Sequence, residues 1–227
     1  MLVKNWMSKG VITVDVDDSM SDATRIIKEH KISMLPVMKK GKLVGVITDR
    51  DLKRASASDA SSLEIHELLY LLSKMKVKEI MSKDPITVPP DFTVEETAEV
   101  LMKNKISGVP VVDEMEEVVG VITQNDLFKV LISLTGISNR GVQFALMMED
   151  RPGSIKEIAD IIRKYGGRMV SILSSYDQVK NGHRKVYIRF YGIDRHKMQE
   201  LKEEVREKCT LLYMVDLREN KREIYSL

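Results

Sequence analysis

Residues 12–37 read ITVDVDDSMSDATRIIKEHKISMLPV, and residues 86–111 read ITVPPDFTVEETAEVLMKNKISGVPV. At this offset of 74 residues Ile12, Thr13, Val14, Asp17, Lys31, Ile32, Ser33, Pro36 and Val37 all recur. The repeat extends both ways. Val3, Lys4, Met7, Ser8 and Lys9 return as Val77, Lys78, Met81, Ser82 and Lys83, and VGVITDRDL from Val44 returns as VGVITQNDL from Val119. The period is too long for a solenoid, whose units run roughly 20–50 residues. It describes a pair of small domains. Each copy reads as strand (Val11–Val14; Ile86–Val88), helix, strand (Leu35–Met38; Val109–Val112), strand (Leu43–Thr48; Val118–Thr123), then a helix opening at Asp51 or Asp126. Thr93 with Glu96 has the spacing of a capping box, and Ser19 with Asp22 a weaker form of it. A module of about 60 residues is marginal alone, which favours two packing as one body.

The copies occupy residues 1–58 and 77–134. Between them, 59–76 read as a linker containing an amphipathic helix over Leu63–Met75. After Gly136 the pattern changes. Val142, Phe144 and Leu146 alternate as a strand, Ile155, Ile158, Ala159 and Ile162 mark a helix face, and Gly166-Gly167 ends it. Two strands, Arg168–Ser175 and Lys185–Tyr191, flank a turn holding Asn181-Gly182. A helix around Met198, Leu201 and Val205 and a strand over Leu211–Leu217 complete a β-α-β-β-α-β order across 140–217, the order of a ferredoxin-like sandwich. Residues 218–227 read as a charged, exposed tail. The fold class expected is α/β (α+β).

Composition narrows the function. The 36 basic and 34 acidic residues give a net charge of +2, which argues against a dedicated nucleic-acid binder. No apolar run approaches the ~18 residues of a membrane span, and the N-terminus lacks a signal-peptide core. A single cysteine, Cys209, fits a reducing, cytoplasmic setting. No P-loop or GxGxxG is present. His66-Glu67 is followed by Tyr70 where a zinc HExxH motif needs His, and the four histidines lack ligand spacing, so no metal is expected. Cys209 has no evident base partner, and no nucleophile–base pair is visible elsewhere. An enzyme is therefore not expected.

The repeated polar pairs are Thr48 with Asp51 and Thr123 with Asp126. Each flanks a strand-to-helix junction, where free N–H groups and the helix dipole suit an anion. A Thr hydroxyl can serve a phosphate or ribose oxygen, and an Asp carboxylate can accept from vicinal ribose hydroxyls. The plain structural reading is that each Thr caps its helix with the Asp in the first turn. One copy alone would favour that reading. Two copies, each with the whole VGVIT strand, shift the balance toward binding.

Both repeats resemble CBS (cystathionine-β-synthase) domains, through GVITxxD at Gly45–Asp51 and Gly120–Asp126, KISMLPV and KISGVPV, and the VKxxMS openings. The resemblance implies a Bateman module whose clefts take an adenosyl ligand: AMP, ADP, ATP, S-adenosylmethionine or an NAD-type molecule. It places Asp51 and Asp126 on ribose, with Thr48 and Thr123 assisting. Met34, Leu35 and Pro36 with Gly108, Val109 and Pro110 would line the adenine slots, closed by Val11 to Thr13 and Pro85 to Thr87. The copies differ: Asp49-Arg50 becomes Gln124-Asn125, so the first site keeps cations (Arg50, Lys53, Arg54) that could pair with phosphates, while the second has Asn125; a solvated helix face accounts for Arg50 and Arg54 equally well. Met34 in place of Gly108 would crowd the first slot.

The C-terminal region is similar to ACT domains through Asp150-Arg151-Pro152-Gly153, with Ser154 opening the helix. That resemblance implies a loop that binds an amino acid across a dimer interface, although a tight Pro-Gly turn alone would explain the motif. The order CBS–CBS–ACT is similar to that of the acetoin-utilisation protein B family. The expectation is a non-catalytic sensor: a homodimer taking an adenosyl ligand and an amino acid, and acting on a target protein. The alternatives are a structural or interaction protein with unoccupied clefts, and an enzyme working at the ACT loop.

Overall fold

The computed structural model describes residues 1–59 and 74–225. The helix expected over Leu63–Met75 and the His66-Glu67 pair lie mostly or wholly outside the described residues. The chain divides into two compact units, Met1–Phe128 and Lys129–Leu227.

In the first unit, β1 (Val14–Asp15) precedes α1 (Met20–His30), then β2 (Met34–Lys39), β3 (Lys42–Thr48) and α2 (Asp49–Asp59). The second repeat follows with α3 (Val77–Ile80), β4 (Ser82–Lys83), α4 (Val94–Asn104), β5 (Gly108–Val112), β6 (Val118–Thr123) and α5 (Gln124–Thr135), a helix whose residues from Lys129 onward count with the second unit. The stretch expected as a strand at Ile86–Val88 pairs only at Val88, with Val111. Local chemistry sets the helix ends. Ser19 accepts from the Asp22 amide, and Thr93 with Glu96 closes a full capping box. Both helices end on a lysine in the left-handed region, Lys31 at φ 52° and Lys105 at φ 54°. Apolar faces from α1, β1, β2 and β3 then bury Val14, Met20, Ala23, Ile27, Leu35, Val37 and Ile47 in a common core.

The opening segments are exchanged between the repeats. Ser82–Lys83 of the second repeat pairs antiparallel with Gly45 and Val46 on β3 of the first. Ser8 of the first repeat exchanges two backbone hydrogen bonds with Val121 on β6 of the second, at 2.9 and 3.1 Å. The glycines of the two GVIT strands permit this approach. A methyl group on Gly45 would stand 2.7 Å from the sulfur of Met81 and 2.8 Å from the carbonyl of Ser82, and one on Gly120 would run into Met7. Each VKxxMS segment thus belongs, in packing, to the opposite GVIT strand.

The second unit contains β7 (Val142–Glu149), α6 (Ser154–Lys164), β8 (Arg168–Ser175), β9 (His183–Tyr191), α7 (Met198–Arg206), β10 (Thr210–Asp216) and β11 (Lys221–Ile224). The sheet order is β11-β10-β7-β9-β8, so the first four strands in chain order lie 4-1-3-2, all antiparallel. That is the ferredoxin-like arrangement. Phe144 and Phe190 meet edge to face at 4.9 Å in its core, with Ile158, Ile162, Ile188, Leu201 and Val205 fully buried around them.

The charged tail expected after Leu217 is exposed at most of its described positions, and it also forms a strand. Lys221–Ile224 pairs with Tyr213–Asp216 as a fifth strand. Glu223 accepts from Lys202 at 2.8 Å, from Lys221 at 2.7 Å and from the Tyr225 hydroxyl. The Arg206 guanidinium lies 4.3 Å from the centre of the Tyr225 ring. These contacts hold Glu223 at about 2, well below its ordinary value. Charge alone did not keep this segment off the sheet, because its carboxylate finds fixed partners.

Candidate functional site

The two Thr–Asp pairs adopt the same local structure. Oδ2 of Asp51 accepts from the amide of Thr48 at 3.0 Å and from its hydroxyl at 2.6 Å, and the Asp51 amide donates to Oγ1 of Thr48 at 3.3 Å. Oδ2 of Asp126 accepts from the amide and hydroxyl of Thr123 at 3.0 and 2.8 Å. The first residue of each helix also ties back to the KIS segment of its own repeat: Asp49 donates to the Ser33 carbonyl and Gln124 to that of Ser107. The capping geometry is therefore real. It consumes one carboxylate oxygen and leaves the other, Oδ1, to other partners. On Asp51, Oδ1 accepts from Nη2 of Arg54 at 3.2 Å.

The surroundings differ. The Asp51 side chain is 12% exposed and lines a cleft of about 510 Å3, within the ~300–1,000 Å3 typical of small-molecule sites. Asp126 is 4% exposed and is not among the residues of that cleft. The cleft draws Met34, Thr48, Arg50, Asp51 and Arg54 from the first repeat, and Pro85, Gly108 and Pro110 from the second. Of the other sequence candidates, Val11, Thr13, Leu35, Pro36, Thr87, Val109, Thr123 and Asn125 are not on its wall. The reasons are physical. Leu35 and Val109 point into the core with no exposed surface. Val11 and Thr13 follow Ser8, which is paired to β6, the strand that carries Thr123.

Ile86, within the Pro85–Thr87 closure expected from the sequence, is on the wall; sequence reasoning missed Ser33, Val46, Asp49, Ser82, Lys83, Asp84, Lys105, Ile106 and Ser107. The signal was available, since Lys83 repeats Lys9 and Lys105 repeats Lys31. The strand exchange brings Ser82–Ile86 to Asp51. Met34, at 5% exposure, lies across from Gly108, where an added methyl would stand 3.4 Å from the Met34 terminal carbon.

In the second unit the loop of Asp150, Arg151, Pro152, Gly153 and Ser154 closes on itself. Arg151 donates to both oxygens of Glu157 at 2.8 and 2.7 Å, which holds Glu157 below its ordinary range. Arg184 lies 3.4 Å from Asp150 and donates to the Ser154 hydroxyl at 3.1 Å. Gly153 has φ +88°, with open space where a side chain would be. The cavity beside the loop holds about 20 Å3, near the volume of one water. A larger cleft of about 650 Å3 lies next to it, walled by Glu149, His183, Arg206, Lys208, Cys209 and Tyr225 among others. Burial pushes the Cys209 thiol up to about 12, so it carries no thiolate at neutral pH. Among the described residues, no helix is long and apolar enough to cross a membrane.

Comparison with known proteins matches this geometry to a family. The CBS domain model matches residues 3–58 and 77–133. Over 135 residues the chain is 33% identical to a CBS domain-containing protein of Dictyostelium discoideum, covering 59% of this chain and 93% of that protein. Over 125 residues it is 38% identical to the inosine-5'-monophosphate dehydrogenase of Korarchaeum cryptofilum, covering 55% of this chain but spanning only 23% of that enzyme's length. Among solved structures, the CBS domain pair of protein MJ0100, in complex with 5'-methylthioadenosine and S-adenosyl-L-methionine, is 36% identical with a TM-score of 0.50. The match covers 58% of this chain and 99% of that one. A Vibrio cholerae protein assigned to acetoin utilization (AcuB) is 26% identical with a TM-score of 0.50, over 61% and 96% of the two chains. With its duplicated Thr–Asp junctions and exchanged openings, the chain belongs to the family of CBS-domain proteins and carries a tandem pair of them.

Proposed function

We propose that the protein is a non-catalytic regulatory sensor that binds an adenosyl ligand in the cleft at Thr48 and Asp51. The observation that carries this reading is the cleft itself. It joins a helix entrance of one repeat to Lys105–Gly108 and Pro110 of the other, at a volume suited to a nucleoside. Oδ1 of Asp51 would accept from the ribose hydroxyls, displacing or sharing Arg54. The positive end of α2 and the Thr48 hydroxyl would meet the sugar or phosphate. Gly108 and Met34 would bracket the base. Because the walls come from both repeats, a ligand there favours the arrangement in which the repeats are closed on each other, which is what a sensor requires. The solved MJ0100 pair, held with two adenosyl compounds, supports the ligand class.

Thermal shift tests the reading. A ligand at about 100 times its Kd adds roughly 2.7 kcal/mol of stability. Adenosine, AMP, ATP or S-adenosylmethionine should raise the melting temperature of the wild type and not of Asp51→Ala. No shift with any adenosyl compound, and none identified by mass spectrometry of the purified protein, would reject it.

The C-terminal unit is proposed as an ACT-type module, on its βαββαβ order and the Asp150–Ser154 loop. Within one chain that loop is closed by its own ion pairs, which supports a role completed by a second copy, with an amino acid taken across the interface. Light scattering that reports a monomer, with no response to any amino acid, would remove this part alone.

A further inference from the structure

Helix α5 is anchored at both ends. At its start, the amide of Gln124 donates to the Ser107 carbonyl at 2.9 Å, and Nε2 of Gln124 donates to the Ile106 carbonyl at 3.3 Å. Ile106 and Ser107 are wall residues of the cleft at Asp51. At its end, the Thr135 carbonyl accepts from Nε of Arg189 on β9 at 2.7 Å and from the Ser171 hydroxyl on β8 at 3.0 Å. Between these anchors runs one unbroken helix of about three turns, which starts in the first unit and finishes in the second.

The clasp at Thr135 is more than helix termination requires. Gly136 already ends the helix in the left-handed region, at φ 60°. Arg189 is only 4% exposed. Its Nη2 donates to Gln143 at 2.9 Å, but its Nη1 is buried with no hydrogen-bond partner among the described residues. Burying a guanidinium that is only partly paired is unfavourable. What the arginine adds is a charge-assisted bond to the last carbonyl of α5, at the negative end of the helix dipole.

We infer that α5 is the coupling element between the CBS pair and the C-terminal sheet, with Arg189 as its positioning residue. A shift of the Ile106–Ser107 wall pulls on Gln124, and the hydrogen-bonded helix carries it to the clasp on β8 and β9. The effect is reciprocal, so loosening the clasp loosens the wall. This goes beyond the adenosyl reading and does not depend on which ligand fills the cleft.

Hydrogen exchange of the full chain, read by mass spectrometry, tests the coupling without any ligand. Arg189→Gln removes the charge from the clasp. Ser171→Ala removes one hydrogen bond from a half-buried side chain and keeps the test open should the first variant fold poorly. Exchange should quicken about three- to tenfold, the range given by losing one hydrogen bond, at residues 130–140. It should also quicken at 105–108 and 122–126, a helix length away, and stay unchanged at 20–38. Faster exchange confined to the C-terminal unit in both variants overturns the coupling. AMP supplies a second arm. It should slow exchange at 105–108 and at 168–175 in the wild type, and at 105–108 alone in the variants. Protection by AMP that stops within the first unit of the wild type also overturns the coupling and leaves the adenosyl reading standing. No protection by AMP anywhere counts against the adenosyl reading, and the ligand-free variants still decide the coupling.

Discussion

Asp51 in the cleft and Glu223 in the C-terminal edge strand are both carboxylates with three donors each. Asp51 takes the amide and hydroxyl of Thr48 on one oxygen and Arg54 on the other. Glu223 takes Lys202, Lys221 and Tyr225. The difference lies in how easily a donor can leave. The Arg54 side chain is 76% exposed and the Lys202 side chain only 8%. Arg54 can swing into water at little cost, since an exposed pair contributes about 0–1 kcal/mol. Lys202 cannot, because it would leave a charge buried without its partner. Asp51 is thus a carboxylate whose partner can be exchanged for a ligand, while Glu223 is fastened. The same contrast separates Arg54 from Arg195 of the C-terminal unit, whose partner Asp216 is only 4% exposed and whose own side chain is 28% exposed.

The largest effect should come from breaking the fastened member. Glu223→Ala strands Lys202 and frees β11 from its anchor, and should cost about 3 kcal/mol. Urea unfolding would read this as a lowered midpoint for the C-terminal unit. Acid should act in the same direction. Folding lowers Glu223 from 4.5 to about 2, so its stabilisation is complete above pH 4.5 and disappears as the pH falls toward 2. On the order of 1–3 kcal/mol is at stake. Midpoints measured across that window should decline in the wild type and decline less in Glu223→Gln. Equal slopes in the two proteins would show that Glu223 is not held as its contacts indicate.

Next in size is the packing that brings Ser82 and Lys83 to Asp51. Gly45→Ala drives a methyl against the Ser82 carbonyl, which is backbone and cannot step aside. Gly120→Ala meets only the side chain of Met7, which can. Overpacking of the first kind costs about 1–3 kcal/mol. The Gly45 variant should therefore lose more stability than the Gly120 variant, and should also lose ligand response as the cleft wall shifts. Two variants with matching melting temperatures would argue against the exchanged packing at β3.

What could be read from the chain follows from which signals are local. The duplication, the capping pairs Ser19–Asp22 and Thr93–Glu96, and the strands of both units are written in short-range patterns. The exchange is not, because Met7 lies far from Gly120 in sequence and no periodicity links them. Lys83 and Lys105 escaped notice as cleft residues because a lone lysine in an exposed stretch reads as solvated surface. Their recurrence as Lys9 and Lys31 was the available hint. The β11 strand was missed for the same reason: charged residues on an edge strand resemble a free tail, and Lys202 is seen to wait for Glu223 only in three dimensions.

The smallest change in stability, and the sharpest in function, should separate the two Thr–Asp junctions. Asp51→Asn keeps an oxygen for the Thr48 amide and hydroxyl, so the cap survives. It loses the charge and the Oδ1 acceptor that the exposed Arg54 uses, for less than about 1 kcal/mol. The amide that replaces Oδ1 is a donor and cannot accept from ribose hydroxyls, so the thermal shift produced by an adenosyl ligand should largely vanish. Asp126→Asn makes the same chemical change at a carboxylate that does not line the cleft. It should leave that shift in place whatever it does to the melting temperature. If the two variants lose the ligand response equally, the junctions are equivalent sites, and the difference between TDRD at Thr48–Asp51 and TQND at Thr123–Asp126 has no consequence for binding. If only Asp51→Asn loses it, the exposed and exchangeable partner on Oδ1 marks the carboxylate that binds, and the capping geometry common to both does not.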